Sequence, residues 1–459
     1  MKTDIRIRSI EPMFIQAKSR TPLKFGAVIM DRLQLAYVKA TVENGAGRVA
    51  EGWGAIFLAY MWGWPTPEVP GARRSESMVE VTKRIAKLFS GYPDQTHPID
   101  IYHDLAGEFQ RIADEVTVQK GLAARMPHLC VLVCASAVDA AIHDAYGNVN
   151  GVPVWDAYGA EFCVHDLSKH LGPHFRGKYL SAIIHSMPAR IPGFHLVGGL
   201  DKLRESEIDD SDPRDGLPIT LDQWIRYEGL RCLKVKLRGN DVEWDIQRML
   251  DVTQIAHEEY DRLGLSELHF SADTNEQCEN PDYIVEMLRK LRERAPRAYD
   301  ELLYLEQPTE RDLRAHRWDM RKVARLKPVI IDESLISPED FDLALELGWS
   351  GIALKTCKCQ SSVLIHAAKA EAAGIPYTVQ DLTNPGLALV HSVALAAHLR
   401  PMMGVETNSR QFFPAYNEFL KLVHPGLCKM TDGMLSTDSL RGNGIGYQVS
   451  DLDMSFLNV

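Results

Sequence analysis

Three short runs in this chain end in carboxylates: FSADTN with Asp273, YLEQP with Glu306, and IIDES with Asp332 and Glu333. The first three acids stand 33 and 26 residues apart, each gap the length of a strand, a helix and the next strand. Any one of them is an ordinary turn or helix-cap residue. At three consecutive strand ends they converge, and like charges so placed raise one another's pKa or demand a cation. Three hard oxygen ligands with open positions suit Mg²⁺, which keeps water or substrate oxygens in the rest of its shell. No histidine joins them, so zinc fits less well.

The stretch RCLKVKLRGND (231–241) alternates Lys234 and Lys236 with Leu233, Val235 and Leu237. In a strand this puts both lysines on one face. Taken alone, that face is one that meets water. The acidic ends that follow, and Lys355 in GIALKTC beyond them, put lysines on both sides of the carboxylate cluster. A lysine in a partly desolvated site can lose its proton and act as a base. A divalent cation on a substrate carboxylate stabilises the enolate left when the α-proton departs. Lys234, as a like charge, would lower the proton affinity of Lys236.

These side chains need a scaffold, and the sequence from about residue 178 supplies one. Apolar runs at 179–186, 232–237, 268–275, 302–309, 327–334, 351–357, 375–381 and 402–408 read as strands, with helix-like stretches between most of them. Two of those helices open on Asn280-Pro281 and Ser337-Pro338, an N-cap followed by proline at the first helical position. Eight such strands in roughly 230 residues match a (β/α)8 barrel, whose sites lie at the C-terminal strand ends. A doubly wound open sheet would usually carry a glycine-rich phosphate turn, and none is found. HLVGGLDKLRESEIDDSDPRDGLP (195–218) reads as a polar insertion.

The first 130 or so residues read as a separate α+β domain, an early strand pair followed by helices. Segments 17–32 and 52–65 read as turn-rich and aromatic. Trp53, Tyr60, Trp62 and Trp64 either pack this domain or lid a neighbouring site. LCVLVCASAVDAAIHDAYG (129–147), broken by Asp139, His143 and Asp144, reads as a buried amphipathic helix.

Composition narrows the classes. The 459 residues suggest two or three domains, and 45% hydrophobic with 25% charged residues is ordinary for a globular protein. A net charge of -11 without a long basic tract argues against nucleic acid or an anionic membrane as partner. The start lacks an apolar region with a cleavage site, and no apolar run approaches the roughly 20 residues of a membrane span. Of eight cysteines only Cys357 and Cys359 are close, so reduced thiols and a cytoplasmic location are expected.

As an ordered set, LKVKL, ADTN, LEQP, IIDES and IALK resemble the enolase superfamily, in its muconate-lactonizing-enzyme-like branch. The resemblance spans nearly the whole chain. It implies a modified (β/α)7β TIM barrel over 151–420, an α+β capping domain over 1–150 and a segment 421–459 returning to that cap. It implies Mg²⁺ on Asp273, Glu306 and Asp332, with Asn275 and Glu333 supporting them. Lys236 matches the acid/base lysine of the second strand, Lys234 its electrostatic helper and Lys355 the acid/base of the opposite face. Segments 17–32 and 52–65 match the specificity loops, so Trp53 and Tyr60 are candidate substrate contacts, together with Gln380, Asp381 and Glu406. The chain departs from the mandelate-racemase pattern in having no histidine at the end of its seventh strand, which reads YTVQDL. It departs from known dipeptide epimerases in having GVETNS where they carry Asp-x-Asp. Expected, then, is proton abstraction α to a carboxylate of a small molecule, with two opposed lysines favouring a racemase or epimerase. The rivals are a lyase (dehydratase or lactone cycloisomerase) of the same chemistry and a non-catalytic scaffold. The family also implies a homo-oligomer.

Overall fold

A computed structural model describes residues 1–25 and 28–458. The chain opens with a long antiparallel hairpin, β1 (Ile5–Phe25) and β2 (Val28–Asn44), and β2 pairs in turn with β3 (Val49–Phe57). The segment 17–32, expected to be turn-rich, is therefore mostly strand, though positions 26 and 27 lie outside the described residues. Its one proline, Pro22, does not break the strand. β1 is an edge strand, where a missing N–H is tolerated, and Pro22 falls in the register shift between Lys18 and Leu23.

Segment 52–65 is likewise strand, continuing into a one-turn helix at Tyr60–Gly63. Gly52 and Gly54 serve close approach, not turning. A Cβ on Gly52 would lie 2.0 Å from the Ala145 backbone nitrogen, and one on Gly54 2.1 Å from the Ala137 carbonyl oxygen. Both alanines belong to helix His128–Asn150, which β3 therefore meets almost backbone to backbone. That helix is not amphipathic as expected, since every residue from Leu129 to Gly147 is buried. It is long and apolar enough to cross a membrane, and the rest of the fold encloses it completely.

Eight parallel strands follow: β4 (Arg190–Val197), β5 (Cys232–Lys236), β6 (His269–Asp273), β7 (Leu302–Glu306), β8 (Val329–Ile331), β9 (Gly351–Lys355), β10 (Tyr377–Gln380) and β11 (Val405–Glu406). They pair in sequence order, and β11 closes onto β4. Helices bridge the seven steps between them, which makes the (β/α)7β barrel with an N-terminal antiparallel sheet domain. Phe194, Cys232, Tyr304, Ile330 and Ala353 form a buried apolar cluster contributed by five of its strands.

One strand is displaced from expectation. Residues 179–186 hold only a turn of 3-10 helix at Leu180–Ala182, and the first barrel strand is β4. Pro192 and Gly193 make β4 look broken in sequence. In the fold Pro192 pairs antiparallel with Met434 of β12 (Met434–Ser436), and the pairing with β11 starts only at Gly193. His195–Val197 are thus strand, and the insertion begins at Gly198. It reaches the hairpin, where Arg20 bonds both Asp215 carboxylate oxygens (2.6 and 2.8 Å) and the carbonyls of Leu217 and Pro218. The C-terminal segment packs on the cap, with Ile445 N–H donated to Asp144 and Phe456 edge-on to Tyr37.

Candidate active site

The alternation of β5 sends Leu233 and Val235 out beneath the helices and Lys234 and Lys236 into the barrel. Lys234 is 1% exposed, which excludes the water-facing reading of this strand. Its ammonium lies 2.8 Å from Glu306, 2.9 Å from Glu406 and 3.3 Å from Asp273. Lys236, one pleat nearer the rim, bonds Asp273. Across the ring Lys355 meets Asp332 at 2.5 Å and Glu306 at 3.8 Å.

The neighbours hold these groups in place. The Asn275 N–H donates to Asp273 over 2.7 Å. Gln380 donates to Glu306 over 2.7 Å, and Asn408 to Glu406 over 2.6 Å. Asp381 accepts the Thr383 and Asn408 backbone N–H groups. Gln307, in the left-handed region at φ 29°, accepts the Asp332 and Ser334 N–H groups and so ties the β7 end to the β8 end.

Burial pushes Asp273 up, but Lys236 and Lys234 outweigh it and bring the carboxyl to about 2. Asp332 is likewise held well below the carboxylate range, because Lys355 and Lys358 overcome its burial. Glu306 goes the other way, as burial raises it to about 7 against the pull of Lys234. Burial and the Glu406 charge take Asp381 to about 7, and burial with Asp332 takes Glu333 well above its usual value. Lys234 and Lys355 are raised, since their carboxylates outweigh desolvation.

Sequence reasoning missed Lys358. It is 2% exposed, bonds the Asp332 carbonyl and lies 3.0 Å from Asp332 Oδ1, so a lysine holds each oxygen of that carboxylate. It also missed which cap aromatic enters. Trp53 packs away from the lysines, beside Asp144 and Tyr447, and Tyr60 carries Arg74 over its ring. Trp62 is the one that roofs the site, with its ring 5.0 Å from the Lys355 ammonium and 5.8 Å from that of Lys358. Its indole N–H donates to Glu333 over 2.8 Å, and its carbonyl accepts from Arg311, which is paired with Glu276. The Trp-rich pattern of 52–65 marked the segment but not the residue.

Among the described residues no three histidine, cysteine or acidic side chains stand ready as a metal site, because ammonium groups lie between the carboxylates. The donor set nevertheless fits a hard divalent ion. Six buried carboxylates (Asp273, Glu306, Asp332, Glu333, Asp381, Glu406) face four lysines, an excess of two negative charges. Burial is the main cause of the raised Glu306, Asp381 and Glu333, and neighbouring carboxylates add to it. A cavity of about 390 Å³ opens beside Lys236, lined also by Leu200, Arg238, Trp244 and Asn275.

The enolase C-terminal domain-like family matches residues 219–452. No curated protein sequence matches the chain. Among solved structures, a muconate lactonizing enzyme from Mycobacterium smegmatis, complexed with muconolactone, aligns at TM-score 0.62 and 17% identity over 99% of this chain and 98% of that one. The L-Ala-D/L-Glu epimerase from Bacillus subtilis aligns at 0.58 and 16% over 87% and 89%. An enolase from Bradyrhizobium, complexed with magnesium and mandelic acid, aligns at 0.59 and 17% over 98% of each chain. At these identities the likeness is one of fold.

Proposed function

This chain belongs to the enolase C-terminal domain-like family, and from that premise we propose that it abstracts the proton α to a carboxylate and returns it on the opposite face, as a racemase or epimerase. One observation carries the reading. Lys236 on β5 and Lys355 on β9 stand four strands apart in a closed ring of eight, on opposite sides of whatever lies at its axis.

Asp273, Glu306 and Asp332 are the residues to hold Mg²⁺, which would supply beside the substrate carboxylate the positive charge now supplied by Lys234, Lys236 and Lys355. The chain's own groups do the rest. Lys236 takes the α-proton at its Nζ on one face and Lys355 delivers one from its Nζ on the other. Lys234, fixed between Glu306 and Glu406, adds positive charge where negative charge develops. Trp62 covers the Lys355 side and keeps water from it. The substrate is a small carboxylic acid with a hydrogen on its α-carbon.

A lyase or lactone cycloisomerase is the second reading, and the asymmetry of the two lysines favours it. Lys236 borders the cavity, whereas Lys355 lies beneath Trp62, where it could stabilise charge without exchanging a proton.

Proton NMR in D₂O tests both. The protein with Mg²⁺ is incubated with N-acylamino acids, dipeptides, proline derivatives and acid sugars, with Lys236→Ala and Lys355→Ala as controls. Loss of an α-proton signal that needs Mg²⁺ and at least one of these lysines supports proton abstraction, and the product then separates epimerase from lyase. Exchange that survives both substitutions would sink the reading.

A further inference from the structure

Helix Gln360–Ala373 begins directly after the turn that carries Lys358, yet its own N-cap residue, Cys359, makes no side-chain cap. The cap comes from the other domain. Asp139, in helix His128–Asn150, accepts the Ser361 backbone N–H and the Ser361 hydroxyl, each over 2.8 Å. Asp139 is 1% exposed and Ser361 is fully buried. Between Lys358 and this cap, Cys359 sits in the left-handed region at φ 75°, a conformation that a residue with a Cβ holds only when its surroundings impose it.

The bonds around Ser361 run in one direction. Its hydroxyl hydrogen is committed to Asp139, so His143 Nε2 must donate to Ser361 Oγ across 2.8 Å. Burial keeps His143 neutral, well below its ordinary pKa, so Nδ1 then accepts the Tyr158 hydroxyl at 3.0 Å. Tyr158 in turn accepts from Gln360, whose amide oxygen accepts from His391. Each group has one role, and the chain spans the cap domain, the turn after β9 and the helix after β10.

We infer that Asp139 is a positioning residue for Lys355, at the end of β9, and Lys358, in the turn that follows it. Through Ser361 and the helix start it fixes the turn Thr356–Cys359, and so places Lys358 against Asp332 and Lys355 at the reaction centre. The cap domain thereby acts on one face of the site, because Lys236 and its partner Asp273 sit on β5 and β6, away from this turn. The catalytic consequence rests on the function proposed above, whereas the structural one does not.

The test uses the full chain with Asp139→Ala, Asp139→Asn and Ser361→Ala, read in two ways. Amide hydrogen exchange over 356–361 is expected to quicken about tenfold or more in Asp139→Ala, with helix Val242–Leu263 unchanged. With a substrate, deuterium exchange of the α-proton that meets Lys355 is expected to slow about 10- to 100-fold, with exchange on the Lys236 side held within about threefold. Asp139→Asn, whose amide oxygen still accepts the Ser361 N–H, should restore most of that rate. Ser361→Ala keeps the backbone donor and should fall between, and these two variants carry the test if Asp139→Ala does not fold. Equal losses on both faces, or unchanged amide exchange, would overturn the inference. If the wild-type protein exchanges no α-proton, the proposed function fails by itself and amide exchange alone decides the role of Asp139.

Discussion

Trp62 donates its indole N–H to Glu333 over 2.8 Å, so a ring from the capping domain is tied to the end of a barrel strand. Trp62→Phe keeps a ring over the lysines and leaves both Glu333 oxygens without a partner, since Oε2 already has none. A loss of about 1–3 kcal/mol is expected from the bond alone. Trp62→Ala, at a 4% exposed position, is expected to cost about 3–5 kcal/mol. Urea unfolding of the two variants checks both figures.

Lys236 and Lys355 predict a stereochemical division of labour. In a racemase, Lys236→Ala should lose about 10²- to 10⁴-fold in exchange of one enantiomer while retaining exchange of the other, and Lys355→Ala should show the reverse. Deuterium wash-in measured separately on each enantiomer decides it. If Lys355→Ala leaves both enantiomers exchanging, the lyase reading takes its place.

Arg410 and Glu228 form an ion pair, each side chain 1% exposed, at the foot of the segment after β11. Glu228 also accepts the Met430 N–H. Arg410→Met leaves that carboxylate buried without its cation and is expected to cost about 3–5 kcal/mol, whereas replacing both partners with apolar residues of similar size should recover part of the loss. Denaturant midpoints of the single and double variants give the comparison.

Asp144 should make stability depend on pH. Burial pushes its carboxyl up to about 7, against the opposing N–H groups of Ile445 and Trp53. A carboxyl raised in the fold gives stability that is full below its unfolded pKa of about 4 and is lost as pH rises through the folded value near 7. Melting temperature of the wild type relative to Asp144→Asn should therefore fall between those limits and level off above them. A difference that stays flat across this window would contradict the assignment.

Much of the barrel was legible because its signals are local. A period-2 pattern places Lys234 and Lys236 on one face of β5 whatever surrounds it, and a carboxylate at a strand end stays at that end in any βα barrel. The errors fell where a residue type has two uses. Segment 52–65 read as turn-rich, yet its Gly52 and Gly54 serve helix contact, and 179–186 read as the first barrel strand, a place that Arg190–Val197 takes.

By itself, then, the sequence determined the alternation of strands and helices, the order of the acids and lysines along the ring, and the chemistry such groups share, because each depends on residues close in the chain. Tertiary structure alone decided that Trp62 and not Trp53 or Tyr60 roofs the site, that Lys358 shares Asp332 with Lys355, and that Asp139 caps a helix 222 residues away. Those contacts join elements whose separation in sequence carries no periodic trace, and they exist only once the cap is packed against the barrel.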